Sequence, residues 1–186
     1  MKLDLERLGK NISDLPTEIR REILCETLSE TTLPIIYVLF DNVNSIKRCR
    51  LFKNLDWNII SNTPLSEEFI SDFQDRVNWV SVSKRSKLSE SFIREFRDQV
   101  NWDYISDSQV LSESFIRHFS DRVNWVFVSS KQKLSEPFIS EFRDYVNWTL
   151  ISRYQTLSKN FIRSFQDYID DYYIARNTGA LEEISE

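Results

Sequence analysis

His118 is the only imidazole in a chain of 186 residues, and Cys25 and Cys49 are its only thiols. A catalytic or metal centre working at neutral pH would draw first on these three, as general base, nucleophile or soft ligand. None of them has the company that such chemistry needs. The cysteines lack the close spacing of a zinc or dithiol motif and read as reduced structural thiols. His118 occupies a position that is filled elsewhere in the chain by Asp72, Glu95, Glu141 and Ser164, which marks it as a tolerant surface site. A phosphate-cradling loop or a nucleophile elbow needs glycine, and the chain offers only Gly9 and Gly179. Carboxylates are abundant, but they recur at helix-surface spacing rather than as an isolated pair in a cleft. The expectation is a protein without catalytic residues, cofactor or metal.

Two further sets of residues have chemistry of a gentler kind. Trp57, Trp79, Trp102, Trp125 and Trp148 recur regularly enough to suggest a ladder on which a ligand could stack. Lys84, Arg85 and Lys87, and then Lys131 and Lys133, place cations in turns near aromatics, the ingredients of a nucleic-acid surface. A formal charge of −5 and acidic residues on the adjoining segments cancel much of that field, so neither nucleic acid nor an anionic membrane is an expected partner. The tryptophans fit better as wedges between packed elements. A buried indole N–H requires an acceptor, and Asp75, Asp98, Asp121 and Asp144, each four residues upstream of a tryptophan, are the candidates.

The elements that must position these residues follow from one sentence written repeatedly. "LSESFIREFRDQVNWDYISDSQV", which begins at Leu88, is preceded by "LSEEFISDFQDRVNWVSVSKRSK" and followed by "LSESFIRHFSDRVNWVFVSSKQK". Leucine opens copies at Leu65, Leu88, Leu111, Leu134 and Leu157, a period of 23 residues, and a degenerate copy around Trp57 comes before them. The next residue is always serine, an N-cap signature. With Ser89 as N-cap, Leu88 and Ile93 form a hydrophobic staple. Phe92, Ile93, Phe96 and Val100 then share an arc of about 100°, one buried stripe on a helix of about eleven residues. Pro137 falls in the first turn of its copy, where proline is tolerated.

The residue before each tryptophan is Asp56, Asn78, Asn101, Asn124 or Asn147, again a good cap, and Asp170 holds the same position in the last copy. Val100 and Ile105 make a second staple around Asn101, so a second helix of about seven residues is expected. Helices this short are marginal alone and must bury their faces against the next hairpin. The chain therefore reads as all-α, a solenoid of short helical hairpins with an N-terminal helical cap. Residues 1–54 form the N-terminal segment, 55–176 the solenoid and 177–186 an acidic tail.

Arg94, Arg117 and Arg163 occur at one position in only some copies, which makes them candidates for contacting a protein partner. In the N-terminal segment, "LPTEIRREIL" reads as a helix start with proline in its first turn. It also resembles the opening of an F-box: Leu15, Pro16, Glu18, Ile19, Ile23 and Leu24 match that motif. The resemblance implies docking to the F-box-receiving subunit of a cullin-type ubiquitin ligase, with the solenoid selecting a target. The repeats themselves, "LSExFIxxFxDxVNWxxIS", resemble tandem repeats in proteins of large DNA viruses that infect amoebae. That resemblance implies an accessory protein acting in the cytoplasm of a host cell. The start "MKLDLERLGK" is too charged for a secretory signal, and the longest apolar run, residues 33–40, is too short to span a bilayer. A cytoplasmic, non-catalytic protein-interaction module is the reading that the residues favour; a structural component of a virus particle is an alternative.

Overall fold

Each described helix starts on the residue that its sequence nominates as a cap. In the computed structural model, which describes Ser29, residues 53–170 and Tyr172, ten helices occur among the described residues and no strand does. They alternate along the chain: α1 (Trp57–Ser61), α2 (Glu67–Asp72), α3 (Trp79–Arg85), α4 (Glu90–Glu95), α5 (Trp102–Ser108), α6 (Glu113–His118), α7 (Trp125–Lys131), α8 (Glu136–Glu141), α9 (Trp148–Tyr154) and α10 (Lys159–Ser164). The F-box-like residues Leu15, Pro16, Glu18, Ile19, Ile23 and Leu24, together with Cys25, Cys49 and the acidic tail, lie outside the described residues.

The even-numbered helices start on serine. Oγ of Ser66, Ser89, Ser112, Ser135 and Ser158 accepts from the amide of the phenylalanine three residues on, at 3.1–3.4 Å. The odd-numbered helices start on Asp56, Asn78, Asn101, Asn124 and Asn147, whose side chains each accept from an amide of the first turn. The staple residues on both sides of these caps are buried: Leu88 with Ile93, and Val100 with Ile105, among others. Pro137 stands in the first turn of α8, as its register requires.

The even-numbered helices are shorter than their periodicity predicts. α4 has six residues rather than about eleven and stops at Phe96, whose φ of −103° and ψ of 27° turn its carbonyl off the helix axis. Residues 96–99 continue as a tight turn closed by Gln99 N–H to the Phe96 carbonyl at 3.0 Å. The apolar stripe survives this change, because Phe92, Ile93, Phe96 and Val100 are all buried. Stripe continuity fixes which residues face inward without fixing whether the last turn stays α-helical.

The chain divides into two compact units, one ending at Gln99 and the other beginning at Val100. In the first, α1 packs against α3; in the second, α7 packs against both α5 and α9. Within each unit the architecture is that of a helical-repeat solenoid, with like helices of successive copies lying side by side. No helix among the described residues is long and apolar enough to cross a membrane.

Candidate interaction surface

Which side chains remain available to a partner depends on which are already engaged between copies. Three polar residues per copy are so engaged, and none of the three jobs follows from composition. The first is a serine four residues after each tryptophan. Ser61, Ser83, Ser106, Ser129 and Ser152 are completely buried, and each hydroxyl donates to the tryptophan carbonyl of its own helix at 2.6–2.8 Å. Oγ then accepts a backbone N–H from the following copy: Asn78 to Ser61 at 2.8 Å, Asn124 to Ser106 and Asn147 to Ser129 at 2.9 Å, Asp170 to Ser152 at 3.0 Å.

This bond fixes how the turn after each even-numbered helix hands over to the next cap. In a continuing α-helix the Asn124 amide would go to the Ser120 carbonyl four residues back. The buried serine takes that amide instead, and the Ser120 carbonyl accepts the Trp125 indole N–H at 3.0 Å. The Trp79 indole likewise donates to the Gln74 carbonyl at 3.0 Å and that of Trp148 to the Arg143 carbonyl at 2.9 Å. The expected aspartate acceptors are therefore replaced, in these three copies, by a main-chain carbonyl five residues upstream. Asp75 and Asp144 instead make long ion pairs with the adjacent Arg76 and Arg143 at 3.8 Å, well exposed to solvent, and Asp98 lies 3.7 Å from Arg97 in the same way. Such pairs contribute little. Asp144→Asn is expected to change unfolding free energy by less than about 0.5 kcal/mol in a denaturant titration. A loss several times larger would return the carboxylate to a capping role.

The second engaged residue is a glutamine in the turn that joins copies. Gln132 is buried; its Nε2 donates to the carbonyls of Ser106 at 3.0 Å and Gln109 at 2.8 Å, and its Oε1 accepts the Leu111 N–H at 3.0 Å. Gln155 repeats the pattern one copy on, toward Ser129, Gln132 and Leu134. In the first unit Ser86 stands at this position, and its Oγ accepts the Leu65 N–H at 3.0 Å. The third is a glutamate at the start of the even-numbered helices. Glu67 accepts the Ser89 N–H, and Glu113 and Glu136 accept both the N–H and the hydroxyl of Ser135 and Ser158. The N-cap serine of one copy is thus itself held by the copy before it.

The tryptophans are wedges, as expected. Each is half-buried and lies against the phenylalanine pair of the following copy, for example Trp79 at 6.4 and 5.1 Å from Phe92 and Phe96, and Trp125 at 6.4 and 5.0 Å from Phe138 and Phe142. Offset rings at these separations add to the burial of their area. Tyr145 covers Trp125 at 5.4 Å and Tyr168 covers Trp148 at 5.0 Å, where other copies carry Arg76, Gln99 and Arg122.

The outside includes positions that differ from copy to copy. His118 is exposed beside Phe119. Of the three arginines singled out by the sequence, Arg94 is half-buried on α4, and Arg117 and Arg163 are exposed on α6 and α10. Arg117 is committed to the neighbouring copy: its Nε and Nη2 donate to Glu141 Oε1 and Oε2 at 2.8 and 2.7 Å, and its guanidinium lies 5.4 Å from the Phe138 ring centroid. This forked pairing holds the Glu141 carboxyl below its usual range and raises the Arg117 guanidinium further. Because the folded carboxyl titrates lower than the unfolded one, the stabilisation is present above the ordinary glutamate range and is lost as pH falls through the lowered value. In Arg117→Gln, the carboxyl midpoint of Glu141 followed by NMR should move up toward about 4.3. An unmoved midpoint would contradict the pairing.

Among the described residues, no group of three His, Cys, Asp or Glu is arranged to hold a metal ion. Comparison of the chain with known protein families, curated proteins and solved structures gave no match.

Proposed function

We propose that the chain is a non-catalytic helical-repeat module for binding other proteins. One observation carries this reading: serine, glutamine and glutamate side chains whose positions recur are used to join copies, whereas an exposed position such as that of Glu95, His118 and Ser164 varies. A rigid framework with a diversified exterior is the physical arrangement that lets a repeat array present a selective surface. Proximity labelling with the full chain, in the cells that make it, tests the reading. The expected result is a small set of proteins whose labelling falls when exposed residues such as His118 and Val126 are replaced without loss of melting temperature. Labelling no different from an inert control would overturn it.

A second reading rests on Leu15, Pro16, Glu18, Ile19, Ile23 and Leu24, which resemble an F-box opening. In it the chain is a substrate adaptor that docks to the F-box-receiving subunit of a cullin-type ubiquitin ligase. Capture of that subunit, abolished by replacing Leu15 and Pro16 with alanine, supports the adaptor; absence of capture removes it. The similarity of the repeats to those of amoeba-infecting DNA viruses supports an accessory protein in the host cytoplasm. Abundance in purified particles would instead identify a structural component.

A further inference from the structure

We infer that the cleft between the Lys131–Gln132–Lys133 and Tyr154–Gln155–Thr156 turns of the second unit binds an anionic side chain, phosphorylated or carboxylate, on a peptide segment of a partner. The cleft has a volume of about 310 Å³, room for one charged side chain and a short stretch of main chain. This inference rests on the protein-binding reading and names the chemistry of one partner site.

Both walls have the same construction. Each turn carries a buried glutamine between two exposed residues, and each glutamine makes three hydrogen bonds, two into the copy behind it and one to the leucine that opens its own copy. The glutamine amides are therefore occupied, and the flanking side chains spring from a fixed main chain. Lys131 and Lys133 line one wall; Tyr154 and Thr156 line the other. The Arg153 guanidinium lies 5.2 Å from the Tyr154 ring centroid and brings a third positive charge to the rim. No carboxylate lines the cleft, in a chain whose formal charge is −5. Convergent cations and hydroxyl donors on a rigid frame favour an anion, and the frame reduces the ordering cost of binding it. The corresponding turn one copy earlier, Ser108–Gln109–Val110, has the glutamine but no cation, and Arg85–Ser86–Lys87 in the first unit has two cations but no glutamine, so the clamped glutamine between two lysines occurs only in the Lys131–Gln132–Lys133 turn.

The test uses the full chain and three fluorescent libraries of nine-residue peptides with degenerate flanks, centred on phosphoserine, on three glutamates or on unmodified serine. Anisotropy should show binding of the phosphoserine library, the glutamate library or both, with the serine library at least roughly 10-fold weaker. The ranking of the two charged libraries identifies the source of the anion. Lys131→Gln with Lys133→Gln should reduce binding roughly 10-fold or more, whereas Lys131→Arg with Lys133→Arg should retain it. Both pairs are exposed, so melting temperature should not move. Equal binding of all three libraries, binding of none, or tighter binding of mixed-sequence RNA than of any peptide would overturn the inference. If proximity-labelled partners of the full chain persist undiminished in the glutamine variant, the cleft assignment fails while the interaction reading stands. If the full chain labels no partner, the reading itself fails.

Discussion

Gln132→Leu is expected to destabilise the second unit by about 3–5 kcal/mol and to expose the Leu111 amide to rapid hydrogen exchange. Leucine nearly matches the volume of glutamine, so little of the loss comes from packing. It comes from the groups left behind: the carbonyls of Ser106 and Gln109 and the amide of Leu111, all bonded by this one side chain in a buried turn. Each polar group stranded without a partner costs about 1–3 kcal/mol, less where water can enter. The site in the first unit supplies a graded control. Ser86 keeps the amide contact with Leu65, so Gln132→Ser should fall between wild type and Gln132→Leu. Repeat arrays can lose global cooperativity, which makes residue-specific exchange the better readout beside thermal unfolding. An unchanged Leu111 exchange rate in Gln132→Leu would show that the glutamine clamp contributes nothing.

Ser129→Ala has the second largest expected effect, a loss of about 1–2 kcal/mol. The substitution is small and raises helix propensity, which by itself would stabilise α7 slightly. Against that stands the N–H of Asn147, which now lacks the acceptor at 2.9 Å, and a cavity too small for water where the hydroxyl was. In the turn ahead of Asn147 this amide is held away from the Arg143 carbonyl, which takes the Trp148 indole instead. Ser129→Ala should therefore let the amide compete with the Trp148 indole for that carbonyl. Urea titration gives the energy, and a shift of the Trp148 indole proton resonance reports the exchange of partners. No loss of stability together with an unshifted indole resonance would refute this account.

The parts of the fold legible in the sequence are those settled within one helix. Ser89 and Asn101 cap amides two or three residues away, and Leu88, Ile93, Val100 and Ile105 flank them at fixed offsets, so their roles follow from spacing alone. Pro137 and the buried face of Trp125 follow in the same way. The missed features connect residues 18 to 26 positions apart: Asn124 to Ser106, Leu111 to Gln132, Gln132 to Ser106. No periodicity of apolar residues encodes such bonds. A signal did exist, since Ser61, Ser83, Ser106, Ser129 and Ser152 end an apolar run at the same offset from every tryptophan, and Gln109, Gln132 and Gln155 recur three residues later. A polar residue repeated at a position surrounded by apolar ones must have a partner, and in a stacked array that partner is the adjacent copy. The interaction surface was less legible. Arg117 varies as a recognition residue would, yet its charge is spent on Glu141, and only the coordinates reveal that.

The three ties between successive copies have a consequence for how such a chain can change its length. In the second unit, the ties from α5 to α7 use the same kinds of donor and acceptor as those from α7 to α9. A segment of one period, duplicated in tandem there, would arrive with matching sockets and plugs at both seams. Growth by such duplication requires no compensating substitution, so reach could be altered in a single genetic event while the exterior of each new segment stayed open to divergence.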